Sequence, residues 1–270
     1  MIQYKLKISS IFLYVTISMF TACNAYSSGD VDSNNLNIGN TMVFPGTDWE
    51  IRTPESQGVD SAKLNEAINY LHANSGGAGA SEVVMIRNGY MIWKGSNIDH
   101  MHTINSCTKP FTTTVLGLLI QDGKLALDDF AVEYLPSLDD KYPAYARIKV
   151  RHFASMTSGY TGQRRYVANE KDIPLGYPHK DFTPAPPLFA PGTAFLYHDP
   201  AIHQLGYILT KIAGEPMGTL FKRRIADPIG LKDWDWKDFG VVDGILLNSP
   251  SGGYEGGVHI TARQLARFGH

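Results

Sequence analysis

Ser106-Cys107-Thr108-Lys109 places a hydroxyl and an amine three residues apart at the start of a strongly helical run. Residues three apart share one helix face, so Ser106 and Lys109 would reach into the same space. The run predicts a helix from about Ser106 to Gln121, with Phe111, Val115, Leu118 and Leu119 on the i, i+4, i+7, i+8 stripe of a buried face. Gly123 follows as a C-terminal stop. A serine hydroxyl is a weak nucleophile until a base stands beside it. Burial and the positive end of a helix both disfavour a charged lysine, so Lys109 could serve as that base. The same helix end would stabilise an oxyanion. Read alone, the motif is equally a helix cap followed by a solvated lysine.

Wider context favours the chemical reading. The stretch INSCTKPFTTTVLGLLIQDGKLALDD resembles the nucleophile helix of the serine β-lactamase and penicillin-binding protein superfamily, in its branch of class C β-lactamases, D,D-peptidases and esterases. IKVRHFASMTSGY, PGTAFLYHDPAIHQLGYIL, DPIGLKDW and GGVHITARQLARFG are similar to later landmarks of that family, in the family's order. The resemblance runs from about Trp49 to His270. Several weak motifs in order are far more specific than one.

The resemblance implies an α/β fold: an antiparallel sheet flanked by helices plus an all-α lobe, with the active site in the cleft between them. Tyr197 matches the second-motif tyrosine and would work with Lys109 as base and proton relay. Otherwise it is a core tyrosine with a satisfied hydroxyl. Asp199 stands where the family has asparagine, and is the expected substrate-binding position. Asparagine donates to a substrate carbonyl, whereas an ionised aspartate only accepts. Asp199 would pair with Lys109 and hold it charged, or cap a helix starting near Pro200, or both. The third motif, Lys-Thr-Gly or His-x-Gly, has no match here. The expectation is therefore a domain incomplete at its C-terminus, lacking strands and one oxyanion donor, with roughly a hundred further residues needed for a typical domain of this kind.

At the N-terminus, Lys5 and Lys7 precede an apolar run from Ile8 to Phe20, the layout of a bacterial export signal over residues 1–25. FTAC resembles a lipoprotein box with Cys23 as the lipidated residue, and cleavage after Ala25 is the competing reading. Residues 26–46 are rich in Ser, Asn, Asp and Gly and read as a flexible tether, which leaves 47–270 as the hydrolase domain. Exported, periplasmic or envelope-anchored protein is the expectation. Of the two cysteines, Cys23 lies in the signal and Cys107 beside Ser106, so no structural disulfide is expected, and Cys107 reads as a small buried residue.

Composition excludes other classes. With 24 Lys and Arg against 26 Asp and Glu, nothing points to nucleic acid. The basic triplet Lys222 to Arg224 reads as a solvated helix end. The nine histidines show no metal spacing, and no cofactor is implied. Ser61 to Ala73 reads as an amphipathic helix, SGGAGA as its exit, and Asn88-Gly89 as a hairpin turn between two β-rich runs. The function expected is an exported serine hydrolase that forms an acyl-enzyme on Ser106, acting on carboxylic esters, β-lactams or peptidoglycan-like D-amino-acid peptides. The alternative is a non-catalytic penicillin-binding or sensor-like protein on the same scaffold.

Overall fold

A computed structural model describes residues 43–162, 184–253 and 257–270. The expected signal segment, Cys23 and most of the tether lie outside the described residues. The chain divides into two compact units, one ending at Ser96 and one spanning Asn97–His270.

In the first unit, helix α1 covers Ser61–Asn74. Asp60 caps it, its side chain accepting from the N–H groups of Ala62 and Lys63. The expected apolar side is present, with Ile68 buried and Leu64 and Leu71 half-buried. Strands β1 (Val84–Arg87) and β2 (Tyr90–Lys94) pair antiparallel. Asn88 (φ 54°) and Gly89 (φ 85°) both adopt the left-handed backbone that a tight two-residue hairpin demands.

The second unit holds the large core. After strand β3 (Met101–Thr103), a 3₁₀ turn over Asn105–Thr108 leads into α2, Lys109–Gln121. The regular helix thus begins three residues later than the sequence suggests, because Pro110 sits in its first turn and lacks the N–H an earlier turn would use. Phe111, Val115, Leu118 and Leu119 are all buried, as their spacing requires. Gly123 (φ 67°) ends the run. Short α3 (Val150–Ala154) and the two-residue strands β4 (Thr161–Gly162) and β5 (Pro184–Ala185) follow. Helix α4, Asp199–Ala213, is buried nearly all round and ends on Gly214 (φ 69°). Then come α5 (Met217–Phe221), β6 (Trp234–Trp236), the hairpin β7 (Asp238–Val242) and β8 (Ile245–Asn248), β9 (Val258–Thr261) and α6 (Ala262–Gly269). Strand β9 is central in an antiparallel sheet ordered β3-β9-β6. Thr261 caps α6, its side chain accepting from Gln264 N–H.

Phe111 anchors the core. Its ring stacks on Phe268 at 4.1 Å and meets Phe221 at 5.1 Å and Trp236 at 6.2 Å. Leu205, Ile208, Leu209, Leu247 and Ile260 close around it. This fixes α2 against α4 and the sheet, and so sets the positions of the residues at the N-termini of both helices. In the basic triplet Lys222 and Arg223 are exposed as expected and Arg224 is half-buried, and each is paired: Lys222 with Asp227, Arg223 with Glu215 and Arg224 with Asp122. Exposed pairs of this kind add little stability. Among the described residues no helix is long and apolar enough to cross a membrane.

Candidate active site

The site lies within the second unit, where the starts of α2 and α4 meet the loop Ser249–Gly253. Lys109, in the first turn of α2, reaches Tyr197 across 88 residues of sequence: Nζ donates to the phenol oxygen at 2.6 Å. The same Nζ donates to the Ser251 carbonyl at 3.0 Å and forms an ion pair with Asp199 Oδ1 at 2.9 Å. Three oxygens therefore surround an ammonium that carries three hydrogens. The Lys109 side chain is only 13% exposed. Tyr197, two residues before α4, is 53% exposed.

Ser106 is exposed in the 3₁₀ turn, and its carbonyl accepts from the Lys109 N–H. Its hydroxyl makes no hydrogen bond to a described residue. Asn105 just before it has φ 45°, a left-handed conformation uncommon outside glycine. Such backbone persists where surrounding structure imposes it. Gly252 packs against it here. A side chain on Gly252 (φ 68°) would place Cβ 1.7 Å from the Asn105 carbonyl oxygen, so the loop's backbone lies directly on the serine's turn. Thr108 is fully buried, and its Oγ1 accepts from Val258 N–H at 2.9 Å, tying the turn to β9.

Two expectations are corrected. Asp199 is the first residue of α4 and does not cap it: His198 is the cap residue, and no side chain there bonds the backbone. The Asp199 carboxylate turns to Lys109, because an ammonium at 2.9 Å attracts it more strongly than a neutral N–H does. Cys107 is exposed, not buried. The tighter 3₁₀ turn directs Thr108 inward in its place.

The loop Ser249–Gly253 is the part that the sequence reading missed. The Ser249 carbonyl accepts from Trp236 Nε1 and the Pro250 carbonyl from Thr112 Oγ1, both at 2.8 Å. Ser251 Oγ bonds His203 Nε2 at 2.9 Å and accepts from Gly253 N–H at 3.2 Å. His203, buried on α4 one turn beyond Asp199, thereby holds the residue whose carbonyl positions Lys109. The glycines at 252 and 253 were the available signal.

An α/β scaffold that brings lysine and tyrosine together beside an exposed, strained-turn serine defines the serine β-lactamase and penicillin-binding class of protein. Residues 65–270 match the family model described as Beta-lactamase, and the chain belongs to that family. It is 30% identical over 139 residues to a beta-lactamase of Pseudomonas fluorescens, covering 48% of this chain and 35% of that protein. It is 25% identical over 150 residues to esterase EstB of Burkholderia gladioli, covering 50% and 38%. The octameric penicillin-binding protein homologue from Pyrococcus abyssi superposes with a TM-score of 0.56 at 19% identity, over 78% of this chain and 55% of that one. The matches span little more than a third of the two curated relatives' length.

Proposed function

We propose that the protein is a serine hydrolase that forms an acyl-enzyme on Ser106, with carboxylic esters as its first substrate class and β-lactams or D-amino-acid peptides as its second. The observation that carries this reading is the 2.6 Å hydrogen bond from Lys109 Nζ to Tyr197 Oη. In this scheme Tyr197 Oη receives the proton as a phenolate, and the ammonium donating to it balances that charge. Ser106 Oγ attacks the ester carbonyl as its proton passes to Tyr197 Oη. The Ser106 N–H, at the start of the helical run, faces the charge that gathers on the carbonyl oxygen. Collapse expels the alcohol, which takes the proton from Tyr197. Water then attacks the acyl-enzyme, gives its proton to Tyr197, and Ser106 leaves as that proton returns.

In this scheme Lys109 is the electrostatic partner of Tyr197 and not the base itself. Its ion pair with Asp199 supports that division of labour. Ester over amide follows from Asp199, which cannot donate to an amide carbonyl. The similarity to an esterase and to a beta-lactamase supports both substrate classes. Export, with a lipid anchor at Cys23, is part of the same proposal and rests on the N-terminal sequence.

One observation favours the non-catalytic alternative: Lys109 is fully engaged, and Ser106 Oγ has no bond to the pair. Intact-mass analysis of the chain after a fluorophosphonate probe decides between them. A single adduct, lost in Ser106→Ala, is the expected result. A folded chain that takes no adduct refutes the hydrolase reading.

A further inference from the structure

Three oxygens accept from Lys109 Nζ or pair with it, and two of them, a carbonyl and a carboxylate, can only accept. Tyr197 Oη and the Ser251 carbonyl flank Lys109, and the Asp199 carboxylate completes the ring. Asp199 Oδ1 is buried against the ammonium, its ion-pair partner. Yet the side chain is 35% exposed, so the part open to solvent lies on its Cβ–Oδ2 side. Gly253 lies beside Oδ2 and contributes no side chain: an added Cβ would stand 3.8 Å from that oxygen, in ordinary contact. The charge of Lys109 is cancelled by Asp199, so no net positive charge remains on this pair to draw an anion. The exposed part of a carboxylate paired with Lys109, three residues from Ser106 in the same turn region, attracts a donor and repels another carboxylate.

We propose that Asp199 makes the site charge-selective: it favours acyl groups that carry an ammonium beside the carbonyl and disfavours acyl groups that carry a carboxylate there. The proposal rests on the hydrolase reading above and deepens it by naming the substrate class. Asparagine at this position would present an amide with both a donor and an acceptor and no charge, and so would not discriminate by sign. Asp199 acts on the substrate directly through Oδ2, while its other oxygen stays with Lys109.

Three methyl esters of one shape test this: alanine methyl ester with its α-ammonium, methyl isobutyrate with a methyl group there, and monomethyl methylmalonate with a carboxylate. Turnover of each is followed by pH-stat titration at pH 6.5, for the chain and for Asp199→Asn. The expected order of kcat/KM is ammonium, then methyl, then carboxylate. Asp199→Asn lowers the ammonium-to-carboxylate ratio about tenfold, the scale of one partly exposed charge pair. Any general loss of activity divides out of that ratio. A ratio that Asp199→Asn leaves unmoved, or a chain that prefers the carboxylate, overturns the proposal. So does a chain that takes the fluorophosphonate on Ser106 but turns over none of the three esters. Turnover that survives Ser106→Ala, or absence of both adduct and turnover, fails the hydrolase reading itself and removes the proposal with it.

Discussion

Replacing Lys109 by methionine keeps the unbranched apolar stem and removes only the ammonium. At 2.9 Å the Lys109–Asp199 attraction is roughly 6 kcal/mol gross at an effective dielectric of about 20. Most of that is offset by desolvation, and Asp199 is still about a third exposed, so the net loss at this contact is about 1–2 kcal/mol. Ser251 is fully buried, and its carbonyl loses its donor at a further cost of about 1–2 kcal/mol. Tyr197 is exposed and regains its hydrogen bond from water. The sum is about 2–4 kcal/mol, or a urea midpoint lowered by about 1 M at the slopes usual for a domain of this size. Adding Asp199→Asn to Lys109→Met removes the stranded charge and recovers about 1–2 kcal/mol, while fluorophosphonate labelling stays lost in both. Urea titrations of the wild type, two single variants and the double variant close the cycle. The reasoning is refuted if Lys109→Met costs under about 0.5 kcal/mol, or if the double variant is no more stable than Lys109→Met.

Phe111→Ala empties the centre of the aromatic cluster and should cost about 3–5 kcal/mol in urea unfolding, with the near-ultraviolet circular dichroism of its neighbours weakened. Gly252→Ala forces a Cβ against the Asn105 carbonyl at a left-handed φ, so it should cost about 2 kcal/mol or more and slow labelling of Ser106, read by mass spectrometry. Tyr134 is pushed up to about 12, first by burial and then by its hydrogen bond to Asp129, which favours the protonated form. The folded chain therefore keeps this proton longer than the unfolded chain does. The contribution is complete below the ordinary tyrosine value of about 10 and is lost as pH climbs toward 12. Tyr134→Phe should flatten that part of the stability curve, measured by urea midpoints between pH 9 and 12.

What the sequence disclosed and what it hid follow from the range of each interaction. Helix α2 was legible because its apolar stripe repeats within the chain's own local geometry, and the Asn88–Gly89 turn because two adjacent left-handed residues admit few side chains. Lys109 and Tyr197 lie 88 residues apart, and no local period connects them. Only the resemblance to a family brought them together in advance. Asp199 pairs with Lys109 as expected, but the cap reading fails because the local rule weighs a neutral backbone donor and not the cation that engages the carboxylate. Cys107 was misplaced because one residue's difference between a 3₁₀ turn and an α-helix rotates which side chain faces inward.

The loop Ser249–Gly253 shows the deeper reason. It binds α2 and β6 through carbonyl oxygens, which every residue carries, so its sequence advertises little beyond Gly252 and Gly253. What sets this loop apart is the space it leaves unfilled. Gly206 on α4 has Pro250 so close that a Cβ would lie 2.2 Å from its ring, Gly252 rests on Asn105, and Gly257 rests on Thr108. Gly206 on α4, with Gly252 and Gly257 in and just after the loop, thus let this stretch press against the middle of α4 and the turn that opens α2. That contact holds Asn105 in its left-handed turn, exposes Ser106 and supplies the third oxygen to Lys109. On the proposed reading Ser106 and Lys109 carry the chemistry, and the glycines shape the packing that places them. A variant that fills any of these three spaces should therefore impair Ser106 labelling more than its loss of stability alone accounts for.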